Sequence, residues 1–195
     1  SKRTEAAVHY IAEVLGQFDL IGIVELRENL ADLQRVLRIM GSYWRAVYSD
    51  MVPDAGGNHE RICYVYDKRA VVFNGLASAA FAPRKKQGDE YPAIDWWRPP
   101  YVASFRSGTF DFVVLTTHIR WGDKGEQGRV GELTKLADWI ERKRTSEFAE
   151  DRDLIVMGDC NIPGAEGPAL KALTRHGLVM PRVLRQGTHG SNLEK

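Results

Sequence analysis

The chain has 195 residues, of which 44% are apolar and 27% charged, with a formal net charge of +1. That length holds one large domain or two small ones, and the composition is that of an ordinary globular protein rather than a disordered, fibrous or disulfide-built one. A near-neutral chain has no global field to draw in nucleic acid or membrane, so an anionic partner has to meet a local patch, and no apolar run approaches the length of a membrane span.

Val8, Ile11 and Leu15 fall on one face of a helix from Thr4 to Leu15, with Thr4 as cap and Gly16 as stop. Asp19 to Leu26 reads as a buried strand interrupted by Glu25. A carboxylate in such a run is costly unless paired or metal-bound, or unless Glu25 already begins a solvent loop. Asn29 caps a second helix with Leu30, Leu33, Val36, Leu37 and Met40 inward and Gly41 at its end. Tyr43 to Tyr48 is a strand. Arg61 to Tyr66 and Ala70 to Phe73 are expected to form a hairpin about Asp67-Lys68.

Gly75 to Pro99 shows no clear period and carries two groups suited to nucleic acid. Arg84-Lys85-Lys86 suits a phosphate backbone or a solvated charge run, and Trp96-Trp97-Arg98 suits stacking on bases or, for its two rings, the core. Tyr101 to Arg106 and Phe110 to Thr117 pair through Ser107-Gly108, and the second strand delivers His118. Gly125 to Ser146 is a long helix with Val130, Leu133, Leu136, Ala137 and Ile140 inward. Leu154 to Met157 then reads as a strand buried on both faces and ended by Gly158. Beyond it Asp159 and Asn161 either project to one side of an extended chain or, as common turn residues, form a turn. Pro168 to His176 is a short helix stopped by Gly177.

No repeat or linker interrupts the chain, which predicts a single domain over residues 1–195. The irregular mixture of helices and hairpins predicts two sheets packed face to face with helices outside. Cys63 and Cys160 make neither a disulfide framework nor a zinc site and read as buried thiols. The chain begins at Ser1 without a signal peptide, so the compartment stays open between cytoplasm and secretion after removal of a leader.

Glu25, His118, Asp159 and Asn161 all follow apolar strands, and Glu60 precedes one. Antiparallel strands set one strand's start beside its neighbour's end, so the five are expected at one rim. Oxygen donors from Glu, Asp and Asn suit Mg²⁺ or Mn²⁺. A histidine beside them suits an acid, a base or a phosphate-binding cation.

The order and wording of these motifs resemble the endonuclease/exonuclease/phosphatase superfamily, and within it the deoxyribonuclease I branch, from about Asp19 to Asn161. The resemblance implies a four-layer α/β/β/α sandwich of the deoxyribonuclease I-like type. Val24-Glu25 is similar to the family's Gln-Glu, which makes Glu25 the metal ligand. Glu60-Arg61 matches the Glu that supports a catalytic histidine. Arg98-Pro99-Pro100 looks like the Arg-x-Pro segment whose Arg meets substrate phosphate. Thr117-His118 resembles the Thr-His that carries the catalytic histidine, and Gly158-Asp159-Cys160-Asn161 resembles Gly-Asp-Phe-Asn. The chain departs from the pattern at Val24 and Cys160, and no Asp-His pair follows Asn161. That predicts a domain without the family's first and last strands, which would self-associate through exposed strand edges.

The resemblance implies a divalent-metal-dependent phosphodiesterase, an endonuclease on DNA. Glu25 would hold Mg²⁺, Asp159 and Asn161 would orient the attacking water or stabilise the pentacovalent state, His118 supported by Glu60 would act as acid or phosphate clamp, and Arg98 would grip phosphate. The alternatives are a phosphomonoesterase or sphingomyelinase of the same fold, and a non-catalytic binding domain that has lost the terminal strand.

Overall fold

The computed structural model of the chain describes residues 3–51, 59–81, 88, 96–121, 125–164 and 166–182. Two sheets dominate it. The first has the order β1-β3-β2, from β1 (Leu20–Leu26), β2 (Trp44–Tyr48) and β3 (Arg61–Asp67), and both of its pairings are antiparallel. The second has the order β4-β5-β6-β7, from β4 (Val72–Ala79), β5 (Tyr101–Ser107), β6 (Phe110–His118) and β7 (Leu154–Asp159). Among the described residues, the helices are α1 (Glu5–Leu15), α2 (Ala31–Met40), α3 (Gly125–Thr145) and α4 (Pro168–Thr174). Two mostly antiparallel sheets with helices is the expected class.

The alternation of β3 builds the sandwich. Successive strand residues point to opposite faces. Ile62, Tyr64 and Tyr66 enter one core with Tyr101, Phe105 and Phe112 of the second sheet. Cys63 and Val65 enter another with Leu33 of α2 and Trp44. β3 is thus covered on both faces, as its unbroken apolar run requires. The Tyr64 ring stacks on Tyr101 at 5.6 Å and meets Phe105 edge-on at 5.6 Å, and its hydroxyl donates to the Tyr101 carbonyl at 2.7 Å. A buried tyrosine of this kind keeps its polar tip satisfied. The close approach of β1 depends on Gly22, where an added Cβ would lie 2.7 Å from the Met157 sulfur. α1 packs on α2 through Val8, Ala12 and Val36. Thr4 caps α1 by accepting from Ala7 N at 3.2 Å, and Asn29 accepts from Ala31 N at 2.9 Å to start α2.

Three expectations are corrected. The Asp67-Lys68 turn does not close a hairpin: β3 pairs with β1 and β2, whereas β4 pairs with β5 in the other sheet. The Asp67 carbonyl accepts from Ala70 N and Val71 N, and the turn carries the chain between sheets because Tyr66, Val71 and Phe73 all pack into the inter-sheet core. β4 also runs on to Ala79, into the stretch that shows no period. Finally, β1 and β7 are end strands of their sheets among the described residues, and they are half-buried rather than covered on both faces. β7 continues through Gly158 to Asp159. Val113 N donates to the Asp153 carbonyl and Ile119 N to the Asp159 carbonyl, each at 2.8 Å. The two contacts advance together along both strands, so β6 and β7 run parallel, with α3 as the crossover between them in sequence.

The chain divides into two compact units. One comprises Ser1–Ala80, Pro99–Thr117 and Glu150–Gly158, and includes almost all of both sheets. The other comprises Phe81–Arg98, His118–Ala149 and Asp159–Lys195, and includes α3, α4 and the tips of β6 and β7. In the second unit Leu133, Leu136, Ala137 and Ile140 of α3 are buried as expected. Arg129 and Trp139 are buried with them, whereas Val130 is only half-buried.

Candidate active site

Glu25 and Glu60 belong to the first unit. The β1–β3 register shifts between Ile23 and Leu26, and Glu25 in this bulge takes φ 59°. A left-handed backbone is unfavourable for a residue with a Cβ by about 1 kcal/mol or more. The bulge turns Glu25 outward, where it is exposed. The expected burial penalty therefore does not arise, although Glu25 lies within the strand and not in the loop after it. Leu26 pairs with Arg61, so Glu25 and Glu60 sit at the same end of this sheet. Glu60 is only 5% exposed. His59 is also left-handed, at φ 46°, and its Nδ1 lies 3.5 Å from a Glu28 carboxylate oxygen.

His118, Asp159, Asn161 and Arg98 belong to the second unit. His118 is the last residue of β6 and is buried, and Asp159 is the last of β7. The Ile119–Asp159 backbone bond sets these two tips side by side. Asn161 does not extend the strand, because its φ is 49°. Its backbone N donates to Asp159 Oδ1 at 2.9 Å, and its side-chain Nδ2 donates to the Ile119 carbonyl at 2.6 Å. Asp159 and Asn161 are therefore linked by an Asx turn, not by same-side projection from an extended chain. The outcome is a rigid corner, with the Asn161 amide tied to the residue after His118. Cys160 is a free thiol inside that corner, and burial, with the Asp159 charge next to it, pushes it up to about 12. It stays protonated and is no nucleophile near neutral pH. Cys63 is likewise free, buried and pushed up to about 12.

The segment at Trp96–Arg98 is held by α3. Trp97 N donates to Glu132 Oε1 at 3.2 Å. Burial raises the Glu132 pKa, against the opposing pull of the Trp97 N–H and of the Arg98 charge. Trp96 is buried and serves the core, whereas Trp97 is 43% exposed. The Arg120 guanidinium lies 4.0 Å from the Trp97 ring centroid. That of Arg129 lies 4.4 Å from the ring centroid of Trp121, and its Nη1 donates to the Trp121 carbonyl at 2.6 Å. Sequence reading missed Arg120, Glu132 and Arg129. Only the position of Arg120, two residues after His118, signalled any of them. Arg84-Lys85-Lys86 and His189 lie outside the described residues.

No protein-family model and no curated protein matches the sequence. Solved structures do resemble the fold. The human Nocturnin catalytic domain with bound sulfate superposes with a TM-score of 0.61 at 13% identity, over 87% of this chain and 62% of that one. An endonuclease/exonuclease/phosphatase from Bacteroides vulgatus gives 0.58 at 18% identity, over 88% and 63%. ANGEL2, a 2′,3′-cyclic phosphatase in complex with adenosine-2′,3′-vanadate, gives 0.56 at 14% identity, over 79% and 44%. The chain thus spans less than two thirds of each of these structures. Its fold is that of the endonuclease/exonuclease/phosphatase superfamily, the deoxyribonuclease I-like sandwich that the motif order resembles.

Proposed function

We propose that the chain is a phosphoester hydrolase, and more narrowly a divalent-metal-dependent phosphodiesterase that cleaves DNA. The observation that carries this reading is the corner formed by His118, Asp159 and Asn161 at two adjoining strand tips of this fold. In such a reaction a water oxygen bonds to phosphorus and the water gives up a proton to solvent, the P–O bond to the leaving sugar oxygen breaks, and that oxygen takes a proton. His118 is assigned as the acid that gives the proton, a role worth roughly a hundredfold to ten-thousandfold in rate. Asp159 and Asn161 orient the attacking water, and their fixed turn spares the reorganisation that a loose pair would need. Arg98 takes the phosphate by its forked donors, and Glu60 is assigned as the supporting catalytic carboxylate.

Glu25 is assigned as the metal ligand. Mg²⁺ binds through one or two protein carboxylates and keeps water and substrate oxygens for its other positions. An exposed carboxylate at a strand end fits that mode. Among the described residues no group of three or more His, Cys, Asp or Glu forms a fuller cage. Bound there, Mg²⁺ or Mn²⁺ would neutralise charge on a non-bridging phosphate oxygen.

Supercoiled plasmid is the direct substrate for a test. Conversion to the nicked form with Mg²⁺, abolished by EDTA, is the expected result. A second reading, phosphomonoester or cyclic-phosphate hydrolysis, is favoured by the presence of a 2′,3′-cyclic phosphatase among proteins of this fold. Intact plasmid together with turnover of a nucleoside 2′,3′-cyclic phosphate would select it.

A further inference from the structure

Two tryptophans of the second unit stay exposed although each is held against an arginine. Trp97 is 43% exposed and Trp121 is 56% exposed. An exposed Trp that merely fills surface has no reason to be fixed. Here Trp97 is fixed by its backbone bond to Glu132 and by the Arg120 plane 4.0 Å from its ring centroid. Trp121 is fixed from beneath by Arg129, which is itself only 3% exposed and donates to the Trp121 carbonyl. Arg120 is exposed as well. At Trp97 the result is a preorganised pair of an aromatic face and a guanidinium, with a positive charge in the stack. Little side-chain freedom remains to be lost when a flat ligand settles on it.

We propose that Trp97 and Arg120 form a stacking platform for an unpaired nucleobase of a single-stranded nucleic acid, with Trp121 next in the chain as a second exposed ring. The choice of a nucleic acid rests on the reading of the corner as a phosphodiesterase. Three observations favour this occupant. Every base offers a π-face to a Trp ring or a guanidinium plane, and such stacking needs no particular sequence. The platform also adds Arg120 to Arg98, which suits a ligand that is flat and anionic together. Position is the third: Arg120 follows His118 by two residues, at most about 7 Å of chain. A base stacked on Arg120 would therefore belong to the nucleotide whose leaving oxygen His118 protonates or to one beside it. The platform selects the unpaired strand, because bases within a duplex have both faces covered.

The test is binding without hydrolysis. Fluorescence anisotropy in EDTA would compare a labelled oligothymidylate of about a dozen nucleotides with an abasic oligomer of equal length and charge. The full chain is expected to bind the oligothymidylate roughly tenfold to a hundredfold more tightly. Trp97→Leu should abolish most of that preference. Arg120→Lys should also reduce it, since it keeps the charge and removes the plane. Equal binding of the two oligomers by the parent overturns the proposal, and so does a full preference retained by Trp97→Leu and Arg120→Lys. A base preference without plasmid nicking would leave the platform standing and remove the endonuclease reading. Nicking without the preference would do the reverse.

Discussion

β3 and β7 are both short apolar strands, Ile62-Cys-Tyr-Val-Tyr66 and Leu154-Ile-Val-Met157, and by composition they are alike. β3 lies in the middle of its sheet with every residue from Ile62 to Asp67 buried. β7 is the last strand of its sheet among the described residues; none of its residues is fully buried, and Ile155 is 40% exposed. An apolar run therefore indicates that a strand exists, but not how much covers it. The two also deliver different things. β3 supplies side chains to two cores, while β7 supplies its tip, where Asp159 begins the turn that holds Asn161.

That contrast breaks first where it is strongest. Tyr64→Ala removes a fully buried ring that touches Tyr101 and Phe105, and should lower unfolding free energy by about 3–5 kcal/mol in urea titrations. A loss below 1 kcal/mol would mean that the inter-sheet core is not where the stability lies. Gly158→Ala comes next. Its φ is 123°, and an added Cβ would lie 2.9 Å from the Thr117 nitrogen and closer still to the Thr117 carbonyl oxygen. It should cost about 1–3 kcal/mol and also depress nicking, since it pushes β7 off β6 at the base of the corner.

The corner between the sheets responds to pH. The Arg69 guanidinium bonded to Asp67 holds that carboxyl below its usual range. A depressed carboxyl stabilises the fold above its unfolded pKa, and that contribution disappears as pH falls through the folded value. Asp67→Asn should thus lower the melting temperature at neutral pH, and the gap to the parent should close below about pH 4. A gap that is constant with pH would show that the ion pair adds nothing. The smallest effect is expected on β7 itself: Ile155→Ala, at a well-exposed position, should shift stability by about 0.5 kcal/mol or less.

Much of this was legible beforehand. Thr4, Gly16 and Gly41 mark helix ends because caps and stops are local chemistry, whereas α2 takes Leu30 and not Asn29 as its N-cap, and α4 ends at Thr174 with Arg175 as its cap, short of the expected His176 and Gly177. The Tyr101–Ser107 and Phe110–His118 hairpin follows from its tight turn and alternating strands. The polar tips were legible too, since a Glu, His or Asp after an apolar run stands out. What a tip does once the strand ends was not. Glu25 is turned out by a bulge and Asn161 by a left-handed φ, and both depend on the register of a distant strand. Asp67-Lys68 has the chemistry of a hairpin turn, but the burial of Tyr66, Val71 and Phe73 between sheets decides where β4 goes. The burial of Arg129 has no signal in the helical pattern; the carbonyl and ring of Trp121 make it tolerable.

The most direct test separates the tip from the strand that bears it. His118→Ala would be compared with the parent in the same preparations, by urea unfolding and by plasmid nicking with Mg²⁺. Nicking lowered roughly a hundredfold to ten-thousandfold, in a protein whose unfolding transition remains cooperative, is the expected result. Nicking at the parental rate by a folded His118→Ala variant would remove His118 from the chemistry and contradict the assignment of the strand tips as the active site.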